Sequence, residues 1–439
     1  MTEQQGPVLI FAGKEEKPEV KPCVLIKDGG YGDTSAGNLL IHGDNLPVLA
    51  ALAGEYKGGI KCAYLDPPYN TGATFAHYGD SLPHSEWLCM MKSRLEQVRT
   101  LLTNDGVAAV QIGFDEMAYL KVLMDEIFGR GNCVGQIAVR MSHSAGLKRR
   151  AAGSRMIKNT EYILLYYNES APRLHALYEP CAEYPVNYYH YITEFPEQNG
   201  GTGRYCLLTQ LLYDRFPSAF SALGLKESNS AVAELYARRD EVRQFILQNK
   251  DRVVRKDSNV PGFAAGALPQ GLEPHEFISS GTYFVGKNAA GLPYQLYSLS
   301  AKVRTDAQTG VQTLTNLVGD WWDGFYRDMS RVDIEGGVLM KTSKKPERLI
   351  QWLLTSLTEE GDLVLDPFLG SGTTAAVAMK MRRRFIGIEA GDQFHSLCVP
   401  RLKRVVDGDD PHGITAAVNW PGGSGFRQLA LEAVRGIDL

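Results

Sequence analysis

The chain has 439 residues, 44% of them hydrophobic and 22% charged, with a formal net charge of −4. That length carries one large core plus an inserted module, and the slight acidity excludes a uniformly basic nucleic-acid protein, so any such role has to rest on local charge. Seven cysteines without a Cys-x-x-Cys pair exclude a zinc site and a disulfide framework and imply a reduced, cytoplasmic setting, and no stretch reads as a signal peptide or a membrane span.

The predicted elements begin after a polar, glycine-containing arm over residues 1–35. Leu39 to His42 reads as a strand, with His42 as a core residue, because the nine histidines show no metal spacing and no metal is expected. The apolar run Ile60 to Leu65 then ends at Asp66-Pro67-Pro68-Tyr69. A carboxylate there sits at the carboxyl end of a buried parallel strand, where open α/β sheets bind their ligands. The exocyclic amine of adenine or cytosine is a poor nucleophile, since its lone pair is delocalised into the ring. An Asp oxygen and a prolyl carbonyl can each accept one amine hydrogen and favour a pyramidal nitrogen. Pro67 and Pro68 form a stiff turn whose carbonyls are free to accept. Tyr69 adds an aromatic face for a base removed from the duplex stack, a contact of about 1–3 kcal/mol. Taken alone, the same four residues are equally a rigid turn after a strand.

A helix from Ser85 to Leu102 follows, apolar at Leu88, Met91, Leu95, Val98 and Leu102. Next come a strand from Val107 to Ile112 and a helix from Asp115 to Phe128, with Asp115 as its cap. Val134 to Val139 and Tyr162 to Tyr167 form a hairpin-like pair. Between them Arg140, Lys148, Arg149, Arg150, Arg155 and Lys158 occur with no acid. Such a run is usually a solvated loop, but beside a base-flipping pocket it is expected to touch phosphate. The mixed cluster from Arg238 to Lys256 reads as an exposed helix face. Trp321-Trp322 reads as packing, though it could stack on bases.

The second informative block is Asp366-Pro367-Phe368-Leu369-Gly370-Ser371-Gly372-Thr373-Thr374. A strand from Asp362 to Leu365 leads into it, and a helix from Thr373 to Lys380 leaves it. Gly370 and Gly372 let the backbone approach a ligand near a helix start, while Ser371, Thr373 and Thr374 add hydroxyls. A further strand, Phe385 to Ile388, ends at Glu389, placed to accept ribose hydroxyls as acids do in dinucleotide folds. The spacing is neither the three-glycine dinucleotide fingerprint nor a phosphate loop, so a cofactor such as S-adenosyl-L-methionine fits better. The expected architecture is α/β, a Rossmann-like, mostly seven-stranded doubly wound sheet.

The two blocks, in this order, resemble the permuted (beta-group) DNA amino-methyltransferases, adenine-specific, and in particular the modification subunits of type III restriction systems. Gly43-Asp44-Asn45-Leu46, Asn70-Thr71-Gly72 and Lys345-Pro346-Glu347 agree with that resemblance. It implies a catalytic half over 36–168, a target-recognition region over 169–339, a cofactor-binding half over 340–405 and a tail over 406–439. It implies that Asp44 contacts the cofactor adenine and that Lys345 lies beside the methionine moiety. Gly113 departs from it, since relatives often carry an acid there. The implied reaction is methylation of adenine N6 in double-stranded DNA, in the cytoplasm at the nucleoid, by a homodimer that has a restriction or defence partner. Cytosine N4, an RNA or protein-amide substrate, and a non-catalytic DNA-reading subunit are the alternatives. The Cys-containing pairs Pro22-Cys23 and Pro180-Cys181 follow no credible catalytic strand, which argues against carbon-5 cytosine chemistry.

Overall fold

The computed structural model describes residues 8–72, 80–143, 156–181, 183–197, 201–306, 309–340 and 344–434. The chain divides into two compact units, Met1–Leu177 with Gly319–Leu439, and Tyr178–Val318. The inserted unit is thus shorter at both ends than the expected 169–339.

The first unit is built on one sheet. Its strands lie in the order Cys23–Gly32, Gly425–Ala433, Leu39–His42, Arg384–Glu389, Leu363–Asp366, Ile60–Leu65, Leu102–Ile112, Thr160–Tyr167, Cys133–Arg140 and Trp321–Trp322. The centre is parallel, from Gly425–Ala433 across to Leu102–Ile112. Thr160–Tyr167 runs antiparallel to both its neighbours, as the hairpin-like pattern predicts. Central strands covered on both faces have no polar side to show, which is why Leu39, Ile41, Ile60, Ala63, Leu65, Leu363 and Leu365 share one core with Trp87, Leu88, Met91 and Leu95 of the helix His84–Leu101.

Among the described residues the sheet has ten strands where seven are expected. Cys23–Gly32 and Gly425–Ala433 pair antiparallel along nearly their whole length, so residues 23–32 are not part of a free arm, nor 425–433 of a free tail. Their partners are some 400 residues apart, and a register shift between Lys27 and Gly29 breaks the period-2 pattern that would have revealed the first of them. The third is the short edge strand Trp321–Trp322, parallel to Cys133–Arg140. Trp322 is buried against Phe325 and Trp352, the packing role expected, whereas Trp321 is exposed. The helix after Ile112 is Phe114–Met124, continued by a wider turn over Asp125–Gly129. Gly113, not Asp115, is its cap residue, and Asp115 lies in the first turn, where a carboxylate is favourable to the helix dipole.

The second unit contains a closed six-stranded barrel, Val253–Asp257, Pro293–Ser298, Tyr283–Lys287, Glu276–Ser280, Gly203–Leu207 and His190–Glu194. Ile192, Tyr205, Val254, Phe277, Tyr294 and Leu296 fill it. At Gly203 a Cβ would meet the Phe277 ring at 2.5 Å, so the barrel closes only on a residue without a side chain. Helices Leu208–Arg215, Pro217–Leu223, Asn229–Arg238 and Asp240–Gln248 carry a second core around Leu212, Phe220, Leu235 and Ile246. The mixed-charge cluster therefore forms a helix face only as far as Gln248, with pairs such as Glu234 to Arg238; Arg255 and Lys256 belong to a barrel strand.

Candidate active site

Three neighbouring parallel strands, Ile60–Leu65, Leu363–Asp366 and Arg384–Glu389, bring the two sequence blocks together. Leu365 is opposite Ala63 and Asp366 opposite Gly387, so Asp66, Asp366 and Glu389 all leave the sheet at the same carboxyl edge. Between the turns that follow lies a cavity of about 330 Å³, lined by Asp66, Tyr69, Asp366, Phe368, Ser371 and Glu389 among others. Register, not sequence order, makes these residues neighbours, and blocks 300 positions apart can therefore share one site.

Asp66 is held through one oxygen only. Its Oδ2 lies 2.9 Å from Lys345 Nζ, while Oδ1 is buried with no hydrogen-bond partner among the described residues. Burial pushes the Asp66 carboxyl above the usual range and Glu161 adds to this, whereas the Lys345 ammonium opposes it. Tyr69 donates its hydroxyl to Glu161 Oε2 at 2.8 Å, and Gln111 Nε2 donates to the same oxygen at 2.6 Å. Lys345 Nζ is 3.6 Å from that oxygen and 4.9 Å from the centre of the Tyr69 ring. The Tyr69 hydroxyl is pushed far up, first by burial and then by the negative charges of Asp66 and Glu161. A Cβ at Gly113 would lie 3.0 Å from Tyr69 Cδ2, so the glycine gives this ring its room, and Glu161 of the next strand puts an acid nearby.

The prolines of this turn are not equivalent. Both line the cavity, but Trp87 Nε1 donates to the Pro68 carbonyl at 2.8 Å, so that oxygen is engaged within the fold and not free as the sequence suggests. Beyond Tyr69, Asn70 takes φ +55°, and its amide and that of Thr71 donate to Asp80 at 2.7 and 3.0 Å.

The cofactor-like turn is tied to itself. Asp366 Oδ1 accepts from Phe368 N at 2.9 Å, and Asn45 Nδ2 donates to the Pro367 carbonyl at 2.8 Å. Burial pushes the Asp366 carboxyl up to about 7, with the nearby Asp66 and Glu389 charges acting the same way against the bonds from Thr374 and Phe368 N. Gly370 and Gly372 take φ +58° and +82°, conformations glycine adopts without penalty. Glu389 accepts from Gly370 N, Gly391 N and Gln393 Nε2, each at 2.8 Å. With roughly four acceptor sites on a carboxylate, it has less capacity for ligand hydroxyls than the sequence alone suggests.

Behind this turn lies a buried charge cluster that the sequence did not reveal. Arg401 Nη1 donates to Thr373 Oγ1 at 2.7 Å and its Nη2 to Glu347 Oε1 at 2.8 Å. Lys380 Nζ bonds Glu347 Oε2 at 2.8 Å and Asp410 Oδ2 at 2.6 Å, all fully buried. The signal was Lys380 itself, a lysine ending a helix of small buried residues. Glu161 was equally unannounced, an acid near the start of an apolar strand.

The remaining expected residues lie apart from the cavity. Asp44 caps the helix Asn45–Tyr56 through Leu46 N and pairs with Arg94 Nη2 at 3.2 Å, and its side chain is largely exposed. Pro367 and Gly372 shape the turn without lining the cavity. Arg140 lies over the Tyr326 ring and 3.5 Å from Asp323, and Lys158 pairs with Asp115 at 2.6 Å. Lys148, Arg149, Arg150 and Arg155 lie outside the described residues.

Residues 60–399 match the family model N6_N4_Mtase, described as DNA methylase. The chain is 34% identical over 421 residues to the "Probable type III restriction-modification enzyme HindVI Mod subunit" of Haemophilus influenzae, covering 90% of this chain and 54% of that one. It is 25% identical over 429 residues to the type III restriction-modification enzyme StyLTI Mod subunit of Salmonella typhimurium, covering 88% and 56%. The chain thus spans little more than half the length of these relatives. Among solved structures, PvuII DNA methyltransferase (cytosine-N4-specific) is 12% identical with a TM-score of 0.41, covering 87% of this chain and 90% of that one.

Proposed function

Because the chain belongs to the N6_N4_Mtase family of DNA methylases, we propose that it transfers a methyl group from S-adenosyl-L-methionine to the N6 amine of an adenine flipped out of double-stranded DNA. The observation that carries this reading is Asp66 Oδ1, a buried acceptor without a partner among the described residues, at the wall of a cavity shared with the glycine-rich turn. A buried acceptor left unmade costs about 1–3 kcal/mol, which a bound amine recovers by donating to it.

The residues present suit the cofactor. Ser371, Thr373 and Thr374 offer hydroxyls, Gly370 a close backbone, Glu389 an acceptor, and Phe368 and Ile350 apolar wall. When bound there, S-adenosylmethionine supplies a methyl group made electrophilic by its sulfonium. The protein's share is geometric. Asp66 Oδ1 and the Pro67 carbonyl accept the amine hydrogens and hold the nitrogen lone pair in one direction. Tyr69, its hydroxyl fixed by Glu161, provides a flat face for the flipped base. Trp87 pins the Pro68 peptide so that the turn cannot swing away.

The unit Tyr178–Val318 is proposed to read the target sequence. Arg140, Lys148, Arg149, Arg150, Arg155 and Lys158 are proposed to meet phosphate, with Arg140 and Lys158 exchanging Asp323 and Asp115 for the DNA backbone. A homodimer working with a restriction subunit, in the cytoplasm and at the nucleoid, completes the reading. The test is incubation of the purified protein with labelled S-adenosylmethionine and unmethylated genomic DNA, followed by digestion to nucleosides and mass identification. N6-methyladenine is expected; N4-methylcytosine would correct the base, and no transfer to any DNA would refute the reading.

A further inference from the structure

We infer that Lys345 is the positioning residue of the amine grip, holding Asp66 by Oδ2 so that Oδ1 alone is presented to a ligand, with Glu161 steadying Lys345 from the other side. The inference deepens the proposed function and rests on it for the identity of the ligand. It gives Lys345 a task different from lying beside the methionine moiety.

The geometry supplies the argument. A carboxylate can grip an amine only as an acceptor, so it must stay ionised and must not turn. Around Asp66 burial and the negative Glu161 work against ionisation, opposed first by Lys345 and then by the Tyr69 hydroxyl. Lys345, at 2.9 Å, is the cation facing it among the described residues. Opposite charge at that range favours the ionised carboxylate by about 1–3 pH units. A bond to Oδ2 also fixes the plane of the carboxylate, and Oδ1 is the atom left without a partner.

Lys345 is in turn placed by the cofactor side of the site. Its carbonyl is 3.3 Å from Thr373 Oγ1, which also meets Arg401 Nη1 and Ser371 Oγ. Since guanidinium can only donate, the Thr373 hydroxyl accepts from Arg401, which leaves its own proton for the Lys345 carbonyl or the Ser371 hydroxyl, both at 3.3 Å. Immediately after Pro346, Glu347 anchors the helix Glu347–Leu357 in the buried cluster with Lys380 and Arg401. One residue thus joins both turns, through its backbone to the glycine-rich turn and through its ammonium to Asp66.

The experiment is a carbon-13 carboxyl titration of the full chain labelled at aspartate, with Asp66 assigned by the signal lost in Asp66→Asn. Lys345→Met is expected to raise the Asp66 midpoint by about 1 pH unit or more, and Lys345→Arg to keep it within about half a unit of wild type. Glu161→Gln, which leaves the lysine in place, is expected to lower it. An unmoved midpoint in folded Lys345→Met overturns the inference, as does an unmoved midpoint in Glu161→Gln should the methionine variant not fold. Calorimetry with S-adenosylmethionine separates the competing role: positioning predicts cofactor affinity within about threefold of wild type in Lys345→Arg. A collapse of cofactor affinity with the Asp66 midpoint unchanged would make Lys345 a cofactor ligand instead. The titration needs no methyl acceptor, so a wild-type protein that transfers no methyl sinks the proposed reaction while the Asp66 midpoints still decide the positioning.

Discussion

Asp66 and Asp366 stand at the carboxyl ends of adjacent strands of one sheet and both are followed by proline, yet Asp366 is buried while Asp66 stays partly exposed, and their partners differ. Asp66 is held from outside its turn, by Lys345, and keeps one oxygen without a partner. Asp366 is held from inside its turn, by Phe368 N and Thr374, and burial with two acidic neighbours pushes it up to about 7. The difference teaches that an Asp-Pro at a strand end is a position and not a function. On the proposed reading, the cation beside Asp66 makes one carboxylate a grip, while local donors make the other a brace for the glycine-rich turn.

The sharpest way to break that comparison is to remove the grip. Asp66→Ala is expected to lower methyl transfer by about 10³-fold or more while S-adenosylmethionine affinity, measured calorimetrically, stays near wild type; comparable turnover would put the amine elsewhere. Exchanging residues 178–318 for those of a relative is expected to move methylation to the relative's site and to lower it at the original one by about 10²-fold, the effect of one or two mismatched base pairs. Mapping of methylated positions checks this, and an unchanged site would take recognition away from the barrel unit. On the brace side, Glu389→Ala is expected to weaken S-adenosylmethionine binding by about 10- to 100-fold, as befits a lost charged hydrogen bond, with the Asp66 midpoint unmoved. Arg149→Ala with Arg150→Ala is expected to make the salt dependence of DNA binding shallower by about 2 in log–log slope.

The smallest effect is on stability. A carboxyl raised from 3.8 to about 7 binds its proton more tightly in the folded chain than in the unfolded one. Its contribution is complete below the unfolded value and is lost as pH rises through about 7. Asp366→Asn should therefore flatten the fall in urea midpoint between pH 5 and pH 8 relative to wild type, and parallel curves would show that Asp366 is ionised throughout.

Much of this site was legible in the sequence, because its elements are local. Ile60 to Leu65 runs apolar into Asp66, and Thr373–Lys380 forms the helix its small residues predict. Which turns meet could be read only through the resemblance, since register across strands leaves no trace in a single sequence. Glu161 escaped because its meaning depends on meeting Tyr69 and Gln111 across the fold, and Arg401 because a buried arginine in an amphipathic helix looks like any surface one. Lys345 was singled out through the resemblance, whereas its ion pair with Asp66 depends on the fold: its backbone touches the glycine-rich turn and its ammonium is on Asp66. Asp44 reads as a helix cap once Leu46 N and Arg94 are seen around it. The barrel was invisible, being made of strands of five or six residues separated by helices, with no charge or motif to mark their closure.

The division of labour between the two aspartates is tested most directly by a crystal structure of the protein with S-adenosylmethionine bound. The account predicts a cofactor lying along Asp366 to Thr374 with its methyl group directed at the space beside Asp66 Oδ1, close enough for an amine held there to approach within about 3–3.5 Å. A cofactor whose methyl points away from residues 66–69, or one bound outside this cavity, would contradict it.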